Sequence, residues 1–370
     1  MSTPKASRPS GPKGPKESMG PKESMGSKDS TGDGPEAGSG KRPTLLDVAR
    51  RAGVSRATAS LVIRDAPGPS AESRERVRQA AAELDYRPDQ AAQLLRRRNS
   101  RLFGVMFSAQ EPFHADLIEN IYAATEEAGY DVVLSAVVPS RGERRAVESL
   151  ITSRCEAMIL IGAREACTAD FGPQVPVVEI GRSRNETAFD AVHTADEEGA
   201  RIAVDHLVSL GHSDIVHVDG GERPGAAERR AGYLDAMRRH GLGGRARVVP
   251  GDYTELSGSE AARTLLAAGI LPTAVVAGND QCAIGLLIEL RHAGVDVPGR
   301  VSIVGYDDIR SARLAHIDLT TVRQDARQMA KLAVQAAVER LDSGTGMNGE
   351  AREFSLAPQL VVRGSTGPVR

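Results

Sequence analysis

Tryptophan is absent from this chain, and cysteine, phenylalanine and tyrosine are scarce: three, six and six in 370 residues. Cys155, Cys167 and Cys282 form no C-x-x-C pair. That argues against a disulfide framework or a cysteine zinc site and suits a reducing cytoplasm. No stretch approaches the roughly 20 apolar residues that a membrane span needs. The amino terminus is rich in Pro, Gly, Ser and Lys without an apolar segment, so it does not read as a secretory signal peptide. Catalytic signatures are missing as well. There is no G-x-S-x-G, no H-E-x-x-H, and no G-x-G-x-x-G after a strand. The eight histidines scatter without ligand spacing. The residues therefore call for no catalytic role, no metal and no cofactor.

What is present divides unevenly. The length suits two or three domains with ample core. The formal charge of the whole chain is −2. Residues 41–101 hold 14 basic and 7 acidic side chains, a net +7, whereas residues 102–370 hold 27 and 37, a net −10. A short basic module on a long acidic body suits a module that meets a polyanion, although a solvated Arg-rich surface has the same composition.

Residues 1–42 are low-complexity. Pro15-Lys-Glu-Ser-Met-Gly20 repeats as Pro21-Lys-Glu-Ser-Met-Gly26 and degenerates as Ser27-Lys-Asp-Ser-Thr-Gly32. Such a segment buries too little apolar surface to offset its ordering entropy and is read as a disordered tail.

From Thr44 the pattern turns helical. Thr44 and Asp47 read as a capping pair, followed by Leu45, Val48, Ala49 and Ala52 at helical spacing. Gly53 supplies a left-handed stop, and Ser55 can cap a second helix through about Arg64. Ser70 can cap a third, with Val77, Ala80, Ala81 and Leu84 on one face. Asp89 can cap a fourth short segment. The first two helices around Ala52-Gly53-Val54 form a helix-turn-helix candidate, with an ordinary three-helix bundle as the alternative. In the former, Ser55, Arg56, Ala57 and Ser60 are free to reach bases. Arg56 is suited to guanine and Ala57 to a thymine methyl.

After Arg101 strand-like runs alternate with amphipathic helices: Leu102–Phe107, Val132–Val138, Ala157–Gly162, Val175–Ile180, Ile215–Val218, Ala274–Ala277 and Val301–Val304. Alternation over this length implies an α/β core of two doubly wound parallel sheets covered by helices.

Several motifs together resemble one family. They are Thr44-Leu-Leu-Asp-Val-Ala49, Ala52-Gly-Val-Ser55, Thr58-Ala-Ser60 and Ala82-Glu-Leu-Asp-Tyr-Arg-Pro88. Further along come Glu111-Pro-Phe-His114, His206-Leu-Val-Ser-Leu-Gly-His212, Gly278-Asn-Asp280, Val301-Ser-Ile-Val-Gly-Tyr-Asp-Asp308 and Leu360-Val-Val-Arg-Gly-Ser-Thr366. In this order over about residues 43–366 they resemble the lactose/galactose repressor (LacI/GalR) family of bacterial transcriptional regulators. The resemblance implies an all-α headpiece at 43–88, a hinge helix and linker at 89–101, and a two-lobed core at 102–366 similar to type I periplasmic binding proteins. The lobes would comprise about 102–196 with 325–350, and about 197–322 with 351–366, the chain crossing near Asp196, near Thr321–Asp325 and near Ala351.

The same resemblance implies function. Operator DNA, pseudo-palindromic and double-stranded, would meet Thr44, Ser55, Arg56, Ala57, Thr58, Ser60, Arg64, Gln90, Leu95 and Arg96. Leu95 matches the family's minor-groove wedge. A small-molecule effector, such as a sugar, would meet Phe113, His114, Arg229, Tyr253, Asn279, Tyr306 and Asp307, with Arg229 and Asp307 on opposite sides of it. The implied protein is a cytoplasmic, nucleoid-associated homodimer that acts as an effector-controlled repressor. A periplasmic-type binding protein without a DNA-binding role is the alternative. The chain departs from common family residues at Leu61 (Arg elsewhere), Arg64 (Asn), Glu111 (Asn) and Gly181 (Asp), which leaves operator and effector unnamed.

Overall fold

The computed structural model of the protein describes residues 43–86, 100–164, 175–181, 189–269, 271–346 and 348–369. The chain divides into two units, 1–90 and 91–370.

In the first unit α1 (Leu45–Ala52), α2 (Arg56–Ile63) and α3 (Ala71–Glu83) enclose one small core. The Thr44 hydroxyl and the Asp47 carboxylate cap each other's backbone amides, and Gly53 closes α1 at φ 64°. Ser55 Oγ accepts the Thr58 N–H at 3.0 Å and so starts α2 within two residues of that glycine. Val48, Ala49, Ala52, Ala59, Val62, Val77 and Ala80 form the buried cluster, with Ile63 packed against it. Small alanines at the crossing let helices of only eight residues approach closely. Such helices are marginal alone, so their stability comes from this contact.

The second unit has two lobes. Its first sheet consists of β1 (Leu102–Ser108), β2 (Asp131–Val137), β3 (Ala157–Ile161), β4 (Val177–Ile180), β5 (Asp190–Thr194) and β11 (Glu353–Leu356). Their order is β11-β5-β4-β3-β1-β2, all parallel. The second sheet consists of β6 (Ile215–Val218), β7 (Arg247–Val249), β8 (Ala274–Ala277), β9 (Ser302–Asp307), β10 (Thr320–Arg323) and β12 (Gln359–Val361). Their order is β12-β10-β9-β8-β6-β7, with only β12 antiparallel. Helices α4 (Pro112–Glu127), α5 (Glu143–Thr152) and α10 (Ala326–Ser343) cover the first sheet. Helices α6 (Asp196–Ser209), α7 (Ala226–Arg239), α8 (Glu255–Ala267) and α9 (Asp280–His292) cover the second. Strands β3, β4, β6 and β8 are buried along their whole length. That is why they appear as continuous apolar runs rather than alternating ones.

The glycines of α8 and α9 allow backbone-to-backbone packing. A Cβ on Gly258 would lie 2.0 Å from the Cys282 carbonyl oxygen, and one on Gly285 would lie 2.0 Å from that of Glu255.

The chain crosses between lobes three times: between β5 and α6, between β10 and α10, and between β11 and β12. The third crossing lies after Leu356 and not near Ala351, because β11 pairs with β5 in the first lobe. Asp190 is the physical reason. Its carboxylate is fully buried and accepts from the Arg352 N–H at 2.9 Å, Arg352 Nη2 at 2.7 Å and Arg340 Nε at 2.8 Å. One acid thereby binds β5, α10 and the segment leading into β11.

Burial works against the ionised form of Asp190, but hydrogen bonds from Arg340 and Arg352 outweigh it and hold the carboxyl below its ordinary value. A depressed folded pKa stabilises the fold above the unfolded pKa of about 3.9, and this stabilisation disappears as pH falls through the folded value. Asp190→Asn should therefore cost about 3–5 kcal/mol near pH 7, since it leaves the buried Arg340 guanidinium without its carboxylate. The difference from wild type should begin to shrink as pH falls below about 4 and vanish once pH passes through the depressed folded value, where both proteins lack the carboxylate. Denaturant titrations at the two pH values measure it, and an equal cost at both would contradict the ion-pair account.

Candidate functional site

On the first unit, α2 presents its amino-terminal end to solvent. Ser55, Arg56 and Ala57 are exposed, while Thr58 and Ser60 are half-buried. The Ser55 hydroxyl is engaged as the cap and also lies 2.9 Å from Thr58 Oγ1. Arg56 and Ala57 are the side chains of this turn with no capping duty. Arg64 is exposed and turns back, its Nε donating to the Ser60 carbonyl at 3.1 Å. Thr44 is exposed and engaged as the cap of α1, its hydroxyl donating to Asp47 at 2.6 Å. Gln90, Leu95 and Arg96 lie outside the described residues.

In the second unit a cavity of about 590 Å³ lies between the lobes. Its place follows from strand order. In the first sheet β1 is flanked by β2 and β3, and in the second β6 is flanked by β7 and β8. These are the switch points at which doubly wound sheets leave a crevice beyond the carboxyl ends of their strands. The end of β1, the start of α4 and the loop after β3 bring Ser108, Glu111, Phe113, His114 and Gly162 to the cavity. The loops after β6 and β8, with α7, bring Arg223, Arg229 and Asn279.

Arg229 is the hub of the second lobe's wall. Its side chain is 7% exposed, with Nε 2.9 Å from Asp196 Oδ1 and Nη1 3.6 Å from Asp307 Oδ1. Nη1 also donates to the Gly278 carbonyl at 2.7 Å. The guanidinium lies 3.7 Å from the centre of the Tyr306 ring and 5.3 Å from that of Tyr253. Arg229 and Asp307 thus stand beside each other on one wall, not on opposite sides of a ligand. The reason is that α7 and the end of β9 belong to the same lobe.

Tyr306 is also placed differently from the sequence expectation. It does not line the cavity but lies behind Arg229, packed so closely on α6 that a Cβ on Gly199 would come within 2.3 Å of its hydroxyl. Strand alternation separates it from Asp307: the tyrosine faces the helices while the aspartate, at φ 111°, turns into the cleft.

Six of the seven expected effector residues line the cavity together: Phe113, His114, Arg229, Tyr253, Asn279 and Asp307. Phe113 packs against the cores of both lobes. His114 accepts the Ser108 N–H at Nδ1 (3.1 Å), so its proton sits on Nε2. Burial pushes the ring down to about 4, which leaves it neutral at ordinary pH. Asn279 spends its Oδ1 on the Cys282 N–H, capping α9. Tyr253 is held at φ 72° against Gly220 and Gly278, where a Cβ would lie 2.0 and 2.6 Å from its ring. Its hydroxyl has no hydrogen-bond partner among the described residues.

Sequence reading missed Gln324, Thr194, Arg223 and the role of Asp196. Gln324 Nε2 donates to Asp307 at 2.7 Å, and its Oε1 accepts from Thr194 at 2.8 Å, so one amide links both lobes at the second crossing. The signal that could have found Thr194, Asp196 and Gln324 is position: polar side chains at the chain crossings. Among the described residues no group of histidines, cysteines and carboxylates could hold a metal ion. No helix among them is long and apolar enough to cross a membrane.

Residues 44–89 match the family described as bacterial regulatory proteins, lacI family, and residues 204–366 match the periplasmic binding protein-like domain. The chain is 33% identical over 340 residues to the lactose operon repressor of Escherichia coli K12, covering 88% of this chain and 91% of that one. It is 30% identical over 335 residues to the ribose operon repressor of the same strain, covering 87% and 99%. Among solved structures, a LacI transcriptional regulator from a Rhodococcus species is 48% identical with a TM-score of 0.68, covering 72% of this chain and 99% of that one. The lac repressor dimer bound to operator and the anti-inducer ONPF is 31% identical with a TM-score of 0.74, covering 88% and 100%. With a capped helix-turn-helix ahead of two switch-point lobes, the chain belongs to the lacI family of bacterial regulatory proteins.

Proposed function

We propose that the protein is a dimeric, non-catalytic repressor that binds a two-fold DNA site through α2 and responds to a small polar effector held between its lobes. The observation that carries the reading is the inter-lobe cavity itself. It lies at both switch points and is walled by a buried Arg229–Asp196–Asp307 network. A buried charged network beside a cavity of this size suits a small heteroatom-rich ligand, such as the sugars that relatives' names suggest. The relatives include operon repressors and a repressor dimer bound to operator, which supports the DNA-binding half.

Arg56 and Ala57 are the proposed base readers, and the exposed Arg64 at the far end of α2 a phosphate contact. Selection of bound genomic DNA fragments tests the reading and yields the operator. Affinity for the selected site should fall steeply as salt rises, since a net +7 module displaces counterions from phosphates. Arg56→Ala should lose about 1–3 kcal/mol of preference at one base pair in each half-site. An unchanged preference would remove Arg56 as a reader. Arg229→Ala protein should still bind the selected DNA yet lose its response to the effector, measured as operator affinity with and without ligand. A full response in this variant would place the effector elsewhere.

A further inference from the structure

Each described arginine lining the cavity is already held by a carboxylate that also lines it. Arg164 lies 3.8 Å from Glu143, Arg223 2.9 Å from Glu111, and Arg229 2.9 Å from Asp196. Asp307 and Glu222 also line the cavity, so among the described residues five acids face three cations. The uncharged donors among them include the neutral His114 Nε2–H, because Nδ1 is occupied by the Ser108 amide, and the unpartnered Tyr253 hydroxyl. Among these described residues, a phosphate ester or carboxylate gains a cation only by breaking an existing ion pair.

The Arg223 pair differs from the other two. It joins the lobes, Glu111 standing at the start of α4 and Arg223 in the loop after β6. The two side chains are only 16% and 20% exposed. The Arg164 pair lies within the first lobe and is long. The Arg229 pair is part of a network that also includes a carbonyl and two rings. Arg223 is therefore the cation that a single substitution would set free. Glu111 also departs from the amide common at this position in the family that the motifs resemble.

We infer that Glu111 determines specificity: by engaging Arg223 across the cleft it restricts the effector to uncharged molecules and rejects phosphate esters and carboxylates. The inference rests on the cleft being the effector site. It assigns a ligand class and a residue that enforces it. Burial lifts the Glu111 carboxyl above its ordinary value and the Arg223 guanidinium, 2.9 Å away, pulls it back toward the ionised form. Removing one member of a mostly buried pair leaves the other seeking a counter-charge, which a bound anion would supply.

Calorimetry on the full chain tests this with glucose 6-phosphate, glucuronate and inorganic phosphate as probes, in potassium chloride of matched ionic strength. Wild type should show no saturable binding of these anions that depends on Arg223. Glu111→Gln, and Glu111→Asn as a second variant carrying the common amide, should bind glucose 6-phosphate at least tenfold more tightly than wild type. Adding Arg223→Gln should abolish the gain. Melting curves establish that each variant is folded. Arg223-dependent anion binding by wild type would overturn the inference. So would a folded amide variant with no gain. Operator binding is measured on the same samples. A wild type that binds no operator would fail the repressor reading, whereas the anion titrations report on Glu111 alone.

Discussion

A buried guanidinium organises the ligand-binding half of this protein. Taking the charge of Arg229 out of water is costly, and the surroundings must replace its hydration. Burial works against the cation. Tyr253, Asp196 and Asp307 more than restore it, raising its pKa well above the ordinary value. The partners come from separate elements: Asp196 from the first residue of α6, Asp307 from the end of β9, and Gly278 from the loop after β8. The Tyr306 and Tyr253 rings, 3.7 and 5.3 Å from the guanidinium, add cation–π attraction. The strained turns at Tyr253 and Asp307 are consistent with this arrangement, since both bring side chains to the cation at positive φ.

The network reaches beyond its own lobe. Burial pushes the Asp307 carboxyl up to about 7, with Arg229 and the Gln324 hydrogen bond opposing the rise. The same carboxylate receives the Gln324 amide, whose carbonyl takes the Thr194 hydroxyl at the end of β5. A group that touches Asp307 from the cavity therefore acts on a hydrogen bond that spans the second crossing. This gives a physical route from ligand contact to lobe arrangement without any long pathway.

Legibility from sequence followed burial. Strands buried on both faces, such as Ile215–Val218 and Ala274–Ala277, are apolar throughout and were read with the bounds that the structure has. Strands β5 (DAVHT), β10 (TTVR) and β11 (EFSL) were missed because their residues are occupied with hydrogen bonds and ion pairs at the crossings. The three headpiece helices were legible because their caps are local: Thr44 with Asp47, Ser55 with Thr58 and Ser70 with Ser73. Site residues were legible by family resemblance. Their geometry was not, since Tyr306 and Asp307 differ by one position in a strand and point to opposite faces. Glu111 was noted as a departure, but its partner could be found only once the lobes were assembled.

Among the described residues two sets of ion pairs tie the lobes of this core, and they obey different physics. Arg310 joins Asp116 and Glu119 at an exposed edge, its side chain 72% accessible, where mobile ions screen the attraction and side-chain entropy opposes it. Glu111 and Arg223 join at a mostly buried edge, where screening is weak and separation leaves two poorly hydrated charges. Raising salt therefore weakens the first tie far more than the second. A ligand shifts the lobes only if it binds one arrangement better than the other. With Glu111 and Arg223 satisfied by each other, contact with a charge adds little to that difference. The discriminating contacts are then those that change as the walls approach: the His114 donor on one side and the Asp307–Gln324 pair on the other.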